Sequence, residues 1–190
     1  MNIPRGTVLG IGAVLMAGLN GLAAASDDGT MTASWQEHKL SFPFMGFTTT
    51  YSCDGLADKL KSLLIAAGAR SDLKVRSGAC ANGFGQPDRF ARADVHFWTL
   101  APASSASGSA KASAPVSGTW KPVAFSTNRP NNLQRGDCEL VEQFAQKFLP
   151  LFTTRNVVNN THCIPHQDSG SSIDLRFETL VGPKQPAGAR

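Results

Sequence analysis

The sequence has few charged residues and almost no tyrosine for its length. Asp, Glu, Lys and Arg make up 17% of the 190 residues, and tyrosine occurs once. A charged fraction below the globular average of about 25% argues against a coiled coil or a solvated charged rod. The glycines follow no collagen-like period, and an apolar content of 42% is too high for a disordered chain. The composition therefore predicts a folded protein with a substantial core.

Motifs of common catalytic and nucleotide-binding sites are also missing. The chain after the first 25 residues has no Gly-x-Ser-x-Gly elbow, no glycine-rich loop followed by Lys-Ser/Thr, and no dinucleotide fingerprint. If its four cysteines pair as two disulfides, no odd thiol is left to act as a nucleophile. The sequence therefore predicts no catalytic residues and no cofactor.

The first 25 residues have the pattern of a secretory signal peptide. Arg5 supplies a positive charge, an apolar run covers 8–19, and three alanines at 23–25 offer a small-x-small cleavage site. The run is shorter than the roughly 20 apolar residues of a spanning helix, and Asn20 interrupts it. We therefore expect cleavage after this segment, a periplasmic or secreted mature protein, and no integral membrane segment.

All four cysteines lie in the part expected to be exported, where two disulfides are favoured. Cys53 and Cys80 are 27 positions apart, and Cys138 and Cys163 are 25 apart. A right-handed strand–helix–strand crossover ends both strands at one edge of the sheet, which brings cysteines at those ends within reach. The spacing predicts Cys53–Cys80 and Cys138–Cys163, although Cys138 is expected at a helix start and not at a strand end.

Two segments with a strand pattern resemble each other. The first reads ADVHFWTLAP from Ala93, and the second reads IDLRFETLV from Ile173, with Asp, Phe, Thr and Leu at identical offsets. Each segment follows a pair of cysteines with an amphipathic helical stripe between them. Together with the cysteine spacing, this match predicts an internal duplication.

Each half is predicted to fold as strand, helix, strand and strand. The expected elements are at about 47–52, 54–67, 73–78 and 93–100 in the first half, and 120–127, 138–148, 156–161 and 173–181 in the second. The predicted class is α+β, with two βαββ units in the style of ferredoxin-like folds. The helices are expected on one face of the sheet, with one disulfide per unit.

The chain organisation follows from this pattern. The predicted segments are a signal peptide (1–25), a flexible tail (26–40), a first unit (41–102), an Ala/Ser/Gly-rich linker (103–118), a second unit (119–183) and a C-terminal tail (184–190).

The sheet face that the helices leave uncovered is the candidate binding surface. Alternation along the predicted strands places these side chains there: Lys74, Arg76, His96, Trp98, Arg176 and Glu178. Aromatic and basic side chains on a sheet bind extended polymers by stacking and by charge. Without Arg5 the net charge falls from 18 − 14 = +4 to +3, a mild preference for anionic surfaces. The competing interpretation is a mixed solvent face without function.

A second cluster resembles a metal site. His162, Cys163, His166 and Asp168 carry ligand types that suit zinc or copper, but export favours a disulfide for Cys163. The sequence thus favours an exported non-enzymatic binding or scaffold protein, whose partner is an envelope protein, a cell-wall glycan or another anionic polymer. The alternative is a small exported metal-dependent protein or enzyme that uses this cluster.

Overall fold

The computed structural model describes residues 30–78, 86–103, 114–130 and 132–183. Its elements in chain order are β1 (Met31–Pro43), α1 (Cys53–Ala66), β2 (Lys74–Ser77), β3 (Arg92–Pro102), β4 (Val116–Ser126), α2 (Cys138–Lys147), β5 (Thr154–Asn159), β6 (His162–Ile164), β7 (Gln167–Ser172) and β8 (Asp174–Val181). Two short 3-10 turns, Arg135–Asp137 and Leu149–Leu151, flank α2.

Six of the strands form one sheet in the order β2-β3-β1-β4-β8-β5, and their pairings are antiparallel. β6 and β7 form a separate hairpin. The two central strands, β1 and β4, meet over a short ladder in which 31–33 pair with 116–118 and Thr32 lies opposite Ser117. The predicted α+β class, with two helices and a largely antiparallel sheet, is confirmed.

Helix α1 has a defined signal at each end. The Ser52 hydroxyl accepts a hydrogen bond from the Gly55 N–H at 3.0 Å, which satisfies one of the free donors of the first turn. At the other end Gly68 adopts φ +101°, a conformation that favours glycine, and the Ala69 N–H donates to the Leu64 carbonyl at 2.9 Å. Both predicted helices agree with the structure to within one residue or two.

Both helices contribute to the same hydrophobic core. Phe144 of α2 contacts Phe125 of β4 with ring centroids 5.5 Å apart, and Phe148 contacts Phe97 of β3 at 6.1 Å. The strand residues that alternate with the predicted binding residues of β3 and β8 are buried: Val95, Phe97, Thr99, Leu175, Phe177 and Thr179. Burial of the apolar side chains among them is the main favourable term in folding.

The first strand lies outside its predicted position. β1 occupies Met31–Pro43, where a loose tail was expected to 40, and the segment 47–52 forms no strand. Three predictions are therefore wrong: a flexible tail that extends to 40, a strand at 47–52, and a first unit that begins at 41. β1 forms because β3 pairs with it from Ala33 to Pro43, a long-range partner that the weak local alternation of β1 does not reveal.

The predicted linker is also too long. β4 begins at Val116, so the last three residues of the linker predicted over 103–118 belong to a strand that was expected to begin later. This correction has a simple cause, because 116–118 supply the central ladder to β1. The middle of that linker, the signal peptide at 1–25 and the tail at 184–190 lie outside the described residues.

One predicted disulfide is confirmed. Cys138 at the start of α2 bonds to Cys163 of β6, with the Cα atoms 5.6 Å apart. Cys80, the predicted partner of Cys53, lies outside the described residues. A disulfide is compatible with export. Within the described part of the chain, neither helix has the length and apolar character needed to cross a membrane.

Candidate binding face of the sheet

The side of the sheet away from the core is covered by neither of the described helices, because both pack on the other side. We call it the open face. At its centre Ala33, Leu100 and Leu180 form a small buried cluster against which two tryptophans pack. The side chains around this cluster include those of Trp35, Glu37, Lys39, Lys74, Arg76, Asp94, His96, Trp98, Trp120, Arg176 and Glu178. All six predicted binding residues lie on this face, but they fall into two groups, one on β2 and β3 and the other on β8.

Three residues of the first group, Lys74, Arg76 and His96, line a depression of about 480 Å³ over β2, β3 and β1, which we call the basic groove. Lys74 lies opposite His96 in the ladder, and Arg76 lies opposite Asp94. Lys39 of β1 adds a further cation. Among the described lining residues Asp94 is the one carboxylate, so the groove has a surplus of positive charge.

The basic side chains of the groove differ in their partners. Lys39 and His96 both contact Glu37, with Nζ at 2.8 Å and Nε2 at 2.6 Å from Oε1. These hydrogen bonds, first from Lys39 and then from His96, lower the pKa of Glu37. Lys74 and Arg76 are exposed and form no ion pair with any of the described residues. They are therefore the groups that an external anion meets first.

The ring of Trp98 is already in contact with side chains of the protein itself. The Arg70 guanidinium lies 4.2 Å from its ring centroid, and the His96 ring lies 4.3 Å away on centroids. Asp72 fixes Arg70 through two hydrogen bonds, from Nε at 2.7 Å and Nη2 at 2.9 Å. A ligand ring that stacks on Trp98 has to compete with these side chains, which favours charge over stacking as the binding force here.

The second group on the open face is neutralised within the protein. Arg176 pairs with Asp174 at 2.9 Å, and Glu178 pairs with Arg155 at 2.5 Å. Arg155 also lies over the Trp120 ring, 4.4 Å from its centroid. Hydrogen bonds from Arg155 and then Asn156 lower the pKa of Glu178. Arg176 and Glu178 therefore do not join the basic groove.

Several residues near the basic groove were not among the binding residues predicted from the sequence. Trp35 and Lys39 lie in the segment expected to be a tail, and Arg70 follows α1 in a connecting loop. One signal in the sequence points to the first of these. The segment MTASW ending at Trp35 resembles VSGTW ending at Trp120, and 120 − 35 = 85, the separation of Cys53 from Cys138.

A buried ionic cluster lies on the other side of the sheet. Asp137, 2% exposed, accepts hydrogen bonds from Lys59 Nζ at 2.6 Å, from the Gln134 N–H at 2.6 Å and from the Tyr51 hydroxyl. Burial, and then the charge of Asp137, raise the pKa of Tyr51. Asp137 stands at the N-cap of α2, but its side chain bonds these groups and not the free N–H groups of that helix.

The residues of the alternative metal cluster do not converge. Cys163 is bonded to Cys138, so its sulfur is no thiolate ligand. The His166 N–H donates to Thr48 Oγ1 at 3.0 Å, and its ring meets Phe47 edge-on. In the described ranges no three His, Cys, Asp or Glu side chains converge as metal ligands, those of His162 and Asp168 included.

Comparisons of the chain with protein-family models, with curated proteins and with solved structures return no match. The fold and the surface are thus the basis on which the protein can be classed. They define an α+β protein whose sheet carries a basic groove on its open face.

Proposed function

We propose that the protein is an exported, non-enzymatic binding protein that holds an anionic partner in the basic groove. The observation that carries this proposal is the pair Lys74 and Arg76. Both side chains are exposed, and neither forms an ion pair with a described residue. Phosphate and carboxylate groups are the ligands that such ammonium and guanidinium groups bind.

The rest of the groove supports the same partner chemistry. His96 lies between Lys39 and Lys74 in the two ladders, so all three side chains share one face. Asp94 lines the groove beside them, and Glu37 pairs with both Lys39 and His96. The positive charge left for a partner is therefore that of the pair named above. Positive charge that is concentrated in a surface depression raises the local concentration of anions and speeds their association. A polymer with repeated anionic groups would gain most from a surface of this kind.

The proposal of export rests on the signal-peptide pattern of residues 1–25. The disulfide between Cys138 and Cys163 is in keeping with it, because such bonds persist in oxidising compartments. The periplasm and the extracellular space are therefore the proposed locations.

The scaffold is proposed to be two βαββ units that arose by duplication, with their helices on one face. The strand orders β2-β3-β1 and β5-β8-β4 support this, since each places the last strand between the other two. The central ladder supports it further. Thr32 and Ser117 lie opposite each other, and 117 − 32 = 85, the separation already found for the tryptophans and cysteines. A ladder centred on equivalent residues is what an internal two-fold axis requires.

The groove is tested by reversing its two unpaired charges. The variant Lys74→Glu/Arg76→Glu should bind heparin, used as a soluble polyanion, at least about tenfold more weakly than the wild type. The physical reason is that attraction is replaced by repulsion at the groove itself. Affinity would be measured by titration at several salt concentrations, since added salt should weaken the wild-type complex.

A matched variant separates the groove from net charge. Lys61 and Lys147 are exposed on α1 and α2, and Lys61→Glu/Lys147→Glu changes the net charge by the same amount. This control should keep most of the wild-type affinity. Equal losses in the two variants would show that overall charge is what binds heparin. A wild type that does not bind heparin at low salt would overturn the proposal.

A further inference from the structure

The antiparallel pairing of β1 with β3 continues beyond the ends of both strands. The Phe44 N–H donates to the Ala91 carbonyl at 2.8 Å, and the Gly46 N–H donates to the Arg89 carbonyl at 3.1 Å. This keeps the register of the ladder, in which Pro43 lies opposite Arg92. The intervening residues, Met45 and Phe90, are therefore cross-strand neighbours.

Met45 and Phe90 are large apolar side chains directed into solvent. They are 51% and 59% exposed, whereas their neighbours Phe44 and Ala91 are buried in the core. Side chains alternate between the two faces of a pleated ladder, so Met45 and Phe90 project from the open face. An isolated exposed apolar residue needs no explanation, but two such neighbours at the end of a basic groove form a patch of defined chemistry.

Exposed arginines lie near this apolar pair in the ladder. Arg92 is exposed and lies on the open face, next to Met45 and Phe90 in the same register. Arg89 is also exposed. Arg76 of the groove lies one step further along, opposite Asp94. The end of the open face thus combines protruding apolar side chains with exposed positive charge.

We propose that this end of the open face docks on the surface of an anionic lipid bilayer. Met45 and Phe90 enter the interfacial layer, and Arg92, Arg76 and Lys74 contact the anionic headgroups. The inference rests on the proposed function, because the basic groove supplies most of the charge. A soluble polyanion satisfies the cations but offers no apolar layer for the two exposed side chains. A bilayer with anionic headgroups satisfies both, and peripheral membrane surfaces combine these two terms.

The proposal is tested with vesicles and two matched variants. The full mature protein would be sedimented with vesicles of phosphatidylcholine alone and with vesicles in which about one third is phosphatidylglycerol. The wild type should bind the anionic vesicles and not the neutral ones. The variant Met45→Ser/Phe90→Ser should bind the anionic vesicles at least about tenfold more weakly than the wild type, because it loses apolar burial in the interface.

The control variant is Val157→Ser/Val158→Ser. These side chains are 48% and 44% exposed on β5, at the opposite edge of the sheet, so this change removes a similar exposed apolar surface elsewhere. It should bind anionic vesicles like the wild type. Heparin binding by Met45→Ser/Phe90→Ser should be unchanged, since the cations of the groove are intact.

The outcomes separate the two proposals. Wild-type binding to heparin but not to anionic vesicles would overturn membrane docking and leave the proposed function in place, with a soluble acidic partner. Wild-type affinity in Met45→Ser/Phe90→Ser would also overturn it, because the apolar pair would then have no part in binding. Binding to neither probe would overturn both proposals.

Discussion

The variant Asp137→Ala is expected to lower the free energy of unfolding by about 3 to 5 kcal/mol. Asp137 is almost fully buried, and its carboxylate joins the Lys59 ammonium, the Tyr51 hydroxyl and the Gln134 N–H. Its removal takes the counter-charge away from Lys59, which then retains the Asn132 carbonyl as an acceptor, and it takes the acceptor away from the buried Tyr51 hydroxyl. The measurement is denaturant unfolding of the wild type and the variant. Their free energies of unfolding can be compared if both show the same dependence on denaturant concentration.

Two further variants test the interpretation of the Asp137 cluster. Asp58 is exposed on α1, and Asp58→Ala should change the free energy of unfolding by no more than about 0.5 kcal/mol. Lys59→Met should be destabilising by itself, because it leaves the carboxylate without its counter-charge. Combined with Asp137→Ala it should cost less than the sum of the two single changes. Additive losses would mean that the two residues act independently.

The second large effect is expected at the confirmed disulfide. The variant Cys138→Ala/Cys163→Ala should lose about 3.5 kcal/mol of unfolding free energy in the chain-entropy model, since the bond closes a loop with a separation of 25 residues. The hairpin of β6 and β7 should also become locally less protected. Apart from the disulfide, its contacts with the body include hydrogen bonds of Thr48 with Ile164 and His166.

Chemical denaturation and amide hydrogen exchange would measure these two consequences of losing the disulfide. The matched control is the wild type in a strong reductant. Under these conditions the stabilities of the wild type and the variant should converge, because the bond is then absent from both. A variant that is as stable as the oxidised wild type would contradict a role for the bond in stability.

The helices and most of the strands could be predicted from local pattern. The leucines of α1 and the apolar residues of α2 recur at helical spacing, and β3 and β8 alternate between inward-facing buried residues and outward-facing residues that are more exposed. In each of these cases the sequence signal and the packing against the core have the same origin, the burial of one face.

β1 could not be predicted in this way. Its central segment contains Gln36, Glu37, His38 and Lys39, and it is stabilised by pairing with β3, whose residues follow about sixty positions later. Such a partner is invisible to a local window. The resemblance of MTASW in β1 to VSGTW in β4 is the sequence signal that relates the two strands.

The sequence predicted which side chains share the open face, but it did not predict which of them pair with each other. Alternation places His96 and Trp98 on the open face, and both lie there. Which charges are already paired depends on contacts between strands, such as Glu37 with Lys39 and His96. Arg70 reaches Trp98 from a loop, and no spacing rule predicts that contact. Pairing within the protein is what leaves one end of the face basic.

The ladder between Thr32 and Ser117 has a consequence for the origin of the chain. In the proposed duplication, Thr32 at the centre of this short ladder meets its own counterpart Ser117, and the flanking residues pair reciprocally (31 with 118, 33 with 116), so the contact is isologous. A single ancestral unit would have carried both sides of that contact on one strand and would have been able to associate with a second copy of itself. Fusion of two copies replaces a bimolecular encounter by an intramolecular one, at the high effective concentration that covalent linkage provides. Each half would then have been free to change separately. Such divergence would leave a positive groove on one half and paired charges on the other.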